Sequence, residues 1–185
     1  MQQNGTVVLA GIAIGLLFIG CSKSEETITG PPATTNLIIN SSFESNGDSS
    51  LHSWDIQFPD AVQLVRDAAP NGGSWSVAIR DEPILPVANI RFTTAAPSGT
   101  HVYAFSFWAK YSADAGSAWL RLKRSDTTYT LNSVGITDTV WTSYHMLDTL
   151  TTNAGDSLRV TLGGGFAGRF SARTFFDLCK LEVLN

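Results

Sequence analysis

The chain predicts an all-β sandwich or barrel over its last part, about 150 residues, and three observations carry that expectation. Apolar and polar residues alternate with period two from residue 37 to the C-terminus. No long stretch repeats at the helical period. Clusters of Gly, Pro, Asn, Asp and Ser break the alternation at short intervals, which is the punctuation of many short strands rather than of crossover helices.

The strands follow in order: 36–39, 54–57, 61–65, 74–80, 88–93, 101–111, 118–124, 129–131, 142–149, 157–162 and 174–183. Each is bounded by turn chemistry. Asn46-Gly47-Asp48, Pro70-Asn71-Gly72-Gly73, Pro97-Ser98-Gly99, residues 112–116, Asn153-Ala154-Gly155-Asp156 and residues 163–168 supply the residues that tolerate positive φ or preset a bend. Gly163-Gly164-Gly165 reads as a turn after a strand rather than a phosphate cradle, because no helix N-terminus is predicted to follow it.

Ahead of these strands stands an uncharged apolar run, residues 7–20, closing with Leu17-Phe18-Ile19-Gly20-Cys21. It is shorter than the roughly 20 residues of a membrane-spanning helix, so it reads as a signal h-region. Its end resembles the lipobox of bacterial lipoproteins. That resemblance implies removal of residues 1–20, lipidation of Cys21 and attachment to the outer membrane, with the membrane contacted through the lipid alone. Residues 21–35 form a polar tether holding Pro31-Pro32, too poor in apolar groups to pack. The start of the tether, Ser22-Lys23-Ser24-Glu25-Glu26, is similar to a surface-export signal of some outer-membrane lipoproteins.

Residues 36–185 have the length of one domain, able to bury roughly 70% of its unfolded surface. With Cys21 lipidated, Cys179 has no partner for a disulfide, so stability comes from packing or a metal. A net charge of −4 argues against nucleic acid, which calls for a basic stripe. No Gly-x-Ser-x-Gly elbow occurs, and His52, His101 and His145 lack metal-ligand spacing, so no enzyme activity is expected.

Seven motifs then resemble, in order, carbohydrate-binding modules of families 4 and 9. Residues 36–44, Asn-Leu-Ile-Ile-Asn-Ser-Ser-Phe-Glu, are similar to the family's opening N-L-[IVL]-x-N-x-x-F-E. Ser53-Trp54, the segment Gly73-Ser74-Trp75-Ser76-Val77, and residues 103–110 (Tyr-Ala-Phe-Ser-Phe-Trp-Ala-Lys) follow. Trp141 with Tyr144, residues 158–164 and the closing Thr174-Phe175-Phe176-Asp177 complete the series. The resemblance implies a galactose-binding-like jelly roll, and with it a polysaccharide or other glycan as partner. It also implies a structural Ca²⁺ where the first and last strands meet, with Glu44 and Asp177 as carboxylate ligands and Ser42 and Gly73 as sources of hydroxyl or main-chain oxygen. Both carboxylates also have a metal-free reading, Glu44 capping a turn and Asp177 accepting backbone hydrogen bonds. Trp54, Trp75 and Trp141 fall at family positions that pack in the core.

Sugar rings stack apolar C–H patches on aromatic faces, so outward aromatics are the candidates for a binding platform. In 101–111, Tyr103, Phe105, Phe107 and Ala109 share the core face, leaving Ser106, Trp108 and Lys110 outside. In 118–124, Leu120 and Leu122 set the core parity and turn Trp119, Arg121 and Lys123 outward. The short 112–115 connection predicts a hairpin that pairs Trp108 with Trp119 and Ser106 with Arg121. Phe58 and Tyr129, in or beside loops, are further candidates. The same Trp pair has a structural reading, stabilising a sheet under a loop such as 82–86. The protein then serves structure or adhesion in the envelope, with a protein partner the sequence leaves unknown. Cys179 shares parity with Leu181 and Val183 and reads as a buried thiol.

Overall fold

The computed structural model describes residues 35–81, 87–165 and 172–184. The leader, Cys21, nearly all of the tether and the 82–86 loop lie outside the described residues. Among the described residues twelve strands form: β1 (Glu44–Ser45), β2 (Asp48–Ser49), β3 (Asp55–Ile56), β4 (Val62–Val65), β5 (Ser76–Arg80), β6 (Asn89–Ala95), β7 (Gly99–Tyr111), β8 (Ser117–Arg124), β9 (Thr127–Gly135), β10 (Thr142–Thr152), β11 (Ser157–Gly163) and β12 (Arg173–Leu184).

These strands make two five-stranded antiparallel sheets. The first runs β10-β7-β12-β5-β4 and the second β3-β6-β11-β8-β9, while β1 and β2 form a small ribbon of their own. The expected alternation is what joins the sheets. Tyr103, Phe105, Phe107 and Ala109 of β7 bury one face of the first sheet, together with Val77 and Ile79 of β5. Leu120 and Leu122 of β8, Leu158, Val160 and Leu162 of β11, and Ile90 and Phe92 of β6 bury the facing side of the second. Phe107 stacks on Tyr144 of β10 with centroids 5.5 Å apart and meets Phe176 of β12 at 5.9 Å, so one aromatic row ties three neighbouring strands of the first sheet. Cys179 is fully buried among them, and burial pushes its thiol well above the usual range, as an inert core cysteine requires.

Three expectations are corrected. Residues 36–39 form no strand. The Asn36 side chain takes over part of the ladder instead, its amide donating to the Cys179 carbonyl at 3.1 Å while its oxygen accepts from Leu181 N at 2.9 Å and Ile38 N at 3.0 Å. This clasp sits beside the irregularity in β12 between Asp177 and Lys180, where backbone groups lack a regular neighbour. Trp75 and Trp141 are only partly buried, whereas Trp54 is in the core as expected. Trp75 lies under the Arg66 guanidinium at 4.7 Å, and Trp141 under the Lys110 ammonium at 5.0 Å, so each uses a face for a cation rather than for packing.

The third correction concerns β7 and β8, which form no hairpin. Both edges of β7 are taken, by β10 and β12, and β8 pairs with β11 and β9 in the other sheet. The segment between them crosses the sandwich. Its start is tied to the first sheet, Ser112 N donating to the Arg173 carbonyl at 2.9 Å and its hydroxyl accepting from Arg173 N at 2.8 Å. Its end is tied to the second, where Ile136 N donates to the Gly116 carbonyl at 2.9 Å. Only glycine fits there, because a Cβ on Gly116 would stand 2.5 Å from the Gly163 carbonyl oxygen.

Candidate functional site

The crossing separates the predicted platform. Ser106 and Trp108 lie on the outer face of the first sheet, Trp108 opposite Ser143 and Asp177. Trp119 and Arg121 lie on the outer face of the second, on the far side of the sandwich. Tyr129 pairs with Leu122 and therefore shares the core-side parity of β8, although as an edge residue it is half exposed, so it does not join Trp119. Phe58 is exposed at the edge-strand side of the second sheet, directly after β3.

Register builds the Trp119 face. Arg91 of β6, Thr161 of β11, Trp119 of β8 and Ser133 of β9 lie in one row across the strands, with Asp55 of β3 at its end. Thr93, Arg159, Arg121 and Thr130 form the adjacent row. The indole of Trp119 lies close over Gly163, where an added Cβ would come within 2.8 Å of ring carbon Cζ3. The Arg121 guanidinium stands over the same indole, 5.1 Å from its centroid. At the β3 side, Gln57 Oε1 accepts from Asn89 Nδ2 at 2.7 Å and from Arg91 Nη2, while Arg91 Nε donates to Asn89 Oδ1 at 2.8 Å. Phe58 follows Gln57 and so stands at the rim of this array.

Two polar atoms of the face, Arg121 Nε and Thr161 Oγ1, are buried and have no hydrogen-bond partner. Unmade buried hydrogen bonds of this kind are costly to the fold. Burial first, and then the neighbouring charges of Arg91 and Arg159, hold the Arg121 guanidinium below its usual range. The sequence reading missed Arg91, Arg159, Gln57, Asn89 and Thr161. Their outward parity was visible in strands 54–57, 88–93 and 157–162, but their place on one face with Trp119 depends on strand order.

The other outer face is occupied differently. Around Trp108 and Lys110 the segment after β4 lies against the first sheet, with Lys110 Nζ paired to Asp67 at 2.8 Å and Trp141 Nε1 donating to the same carboxylate at 3.3 Å.

The Glu44 and Asp177 carboxylates converge on one glycine pair. A Cβ on Gly72 would stand 2.1 Å from Asp177 Oδ2, and one on Gly73 2.5 Å from Glu44 Oε1, so neither position admits another residue without moving a carboxylate. Gly73 also has φ of +85°, a conformation glycine supplies without strain. Glu44 accepts from Ser74 N and, at 2.7 Å, from Trp75 N. Asp177 is fully buried and accepts from Ala69 N at 2.9 Å and Leu178 N at 2.7 Å. Burial chiefly, opposed by those backbone bonds and reinforced by the Glu44 charge, raises the Asp177 carboxyl to about 7. Carboxylate oxygens are hard donors of the kind Ca²⁺ takes, and each of the two also accepts backbone N–H bonds, as its metal-free reading expects. Ser42, in contrast, makes no hydrogen bond to either carboxylate among the described residues.

No family model and no curated protein matches the sequence. Solved structures do match. The chain is similar to TmCBM61 in complex with β-1,4-galactotriose, with 19% identity, a TM-score of 0.55, and 80% of this chain and 97% of that one covered. It is similar to the CBM22-1 xylan-binding domain of Paenibacillus barcinonensis Xyn10C, at 16% identity and a TM-score of 0.56, covering 83% of this chain and 97% of the other. It also matches a second module of carbohydrate-binding family 16, at 22% identity and a TM-score of 0.56, over 79% and 99% of the two chains. Identities this low speak to architecture alone, and on that level the expectation holds: the chain has the jelly-roll sandwich of the carbohydrate-binding modules.

Proposed function

We propose that this protein binds glycan, without cutting it, on the outer face of the second sheet around Trp119. The observation that carries the reading is the row arrangement itself. A large indole lies on the sheet, and beside it stand arginines, Gln57, Asn89 and Thr161, with two buried polar atoms still unpartnered. An aromatic plane flanked by planar hydrogen-bonding groups matches a sugar ring, whose C–H face is apolar and whose edge is hydroxyls. Solved modules of the same fold, one of them in complex with a galactotriose, support it. Trp119 and Arg121 form the centre and Phe58 the rim, while Ser106, Trp108 and Tyr129 fall outside. Screening the full-length chain on an array of plant, algal and microbial glycans tests the reading. Saturable binding to a defined glycan is expected, and a blank array would favour a structural or adhesion role.

The reading includes a lipid anchor at Cys21, which puts the glycan site on a tether at the outer membrane. A single acyl chain binds membranes only marginally and several anchor stably. Metabolic labelling with a fatty-acid analogue should mark the wild-type chain and leave Cys21→Ser unmarked. Label on the mutant would remove Cys21 from the account.

It includes Ca²⁺ as well, held by Glu44 and Asp177 with main-chain oxygens of the Gly72-Gly73 loop, where the ion would neutralise two carboxylates that repel one another. A ligand at a hundred times its Kd stabilises the folded state by about 2.7 kcal/mol, and chelation should therefore lower Tm by about 5–10 °C for a chain of this size. The pH dependence gives the sign. The folded Asp177 holds its proton to about 7, whereas an unfolded Asp releases it near 3.9. Between those values the folded state binds more protons, so the stability of the metal-free protein should fall as pH rises from about 4 to about 7. Added Ca²⁺ should abolish that fall. A melting transition indifferent to chelator and to Ca²⁺ across this window would leave the two carboxylates in their metal-free roles.

A further inference from the structure

The Trp119 face is basic on an acidic protein. Arg91, Arg121 and Arg159 stand on neighbouring strands, with Arg159 directly opposite Arg121 and Arg91 diagonal to it through Thr161. Lys123 lies on the same side of β8, two residues beyond Arg121. The chain as a whole carries a net charge of −4. Three cations elsewhere have carboxylates, Lys110 pairing with Asp67, Arg124 with Asp156 and Lys180 with Glu182, while Arg66 stands over Trp75 and Arg173 bonds Gln63. Among the described residues, none of the three face arginines has an ion pair. Asp55 faces Arg91 in register at the sheet edge, yet Arg91 is bonded to Asn89 and Gln57 instead. Arg159 has one long bond, to Thr93 Oγ1 at 3.3 Å.

Opposed like charges across a strand pair destabilise a sheet. Their partial burial strengthens the repulsion, and a neutral sugar hydroxyl would do nothing to relieve it. An anion would. Guanidinium presents planar forks that match carboxylate and sulfate oxygens two at a time, a stronger and more directional contact than it makes with a hydroxyl. Arg121 Nε is buried, so such a contact falls to the terminal nitrogens of this partly buried side chain.

We infer that the glycan taken by this face is anionic, a polymer bearing carboxylate or sulfate groups whose charges seat between Arg121 and Arg159 while a ring stacks at Trp119. This rests on the Trp119 face being a glycan site.

The test uses charge-matched pairs of probes on the full-length chain: polygalacturonate against its fully methyl-esterified form, and dextran sulfate against dextran. Binding to one charged member, weaker by tenfold or more to its neutral partner, and falling as salt is raised, is the expected result. The two pairs separate carboxylate from sulfate as the charged group. Arg159→Gln and Arg121→Gln should each cost about tenfold in affinity. Arg159→Gln disturbs least of the fold and so keeps the test valid should Arg121→Gln unfold. Lys180→Gln, on the other sheet, should bind as the wild type does. Equal binding of esterified and free polymer, unmoved by either arginine substitution but lost in Trp119→Ala, would overturn the anionic inference and leave the glycan site standing. Binding of the charged polymers that Lys180→Gln weakens as much as Arg159→Gln would show general charge attraction and overturn it too. No binding to any of the four probes, together with a blank glycan array, would overturn both readings.

Discussion

Trp54→Ala is expected to lower the unfolding free energy by about 3–5 kcal/mol, the range for emptying a buried aromatic site. Trp54 is 6% exposed and packs between Phe43, 5.3 Å away, and Phe92, 5.7 Å away. Phe92 belongs to β6, whereas Phe43 belongs to the loop that leads into Glu44. The indole thus joins the second sheet to the segment carrying Glu44. Its N–H also donates to the Asn40 carbonyl at 3.2 Å, so truncation removes the shorter of two bonds to that acceptor, the other coming from Phe43 N at 3.4 Å. Asn40 itself holds the following loop by donating to the Ser50 and His52 carbonyls at 2.8 and 3.2 Å. Denaturant unfolding at fixed calcium checks the number. A loss below about 1 kcal/mol would mean that the loop can collapse into the space.

Trp119→Ala should do the opposite, sparing the fold and removing binding. Its ring rests on Gly163 and under Arg121 rather than in the core, and it is only partly buried. Losing the cation–π contact costs the fold about 0.5–1 kcal/mol. Losing the stacking plane should cost about 2 kcal/mol or more of binding, roughly thirtyfold in Kd, as for a central aromatic of an interface.

Local pattern made the strands legible. The parity that buries Tyr103, Phe105, Phe107, Leu120 and Leu122, and that turns Trp108, Trp119 and Arg121 outward, is a two-residue rule and survives intact in the structure. Neighbourhood was not legible. A five-residue link such as 112–116 suits a hairpin and a sandwich crossing equally well, and the choice depends on β10 and β12 claiming both edges of β7. The same long-range pairing gathers Arg91 and Arg159 beside Arg121 from sequence positions 30 and 38 residues away. Asn36 illustrates a second limit: its stretch reads as a strand, but its side-chain amide supplies the bonds to Cys179 and Leu181 that a ladder would have made. The Glu44 and Asp177 pairing was legible only through the family resemblance, because the two lie at opposite ends of the domain.

The central claim is that recognition occurs on the second sheet and not the first, and two tryptophans on opposite faces test it. Calorimetric titration of wild type, Trp119→Ala and Trp108→Ala with the strongest glycan from the array compares them directly. The account predicts a loss of roughly thirtyfold or more for Trp119→Ala and a change below about threefold for Trp108→Ala, with both variants folded. Loss of binding in Trp108→Ala with full affinity in Trp119→Ala would contradict it and move the site to the outer face of the first sheet.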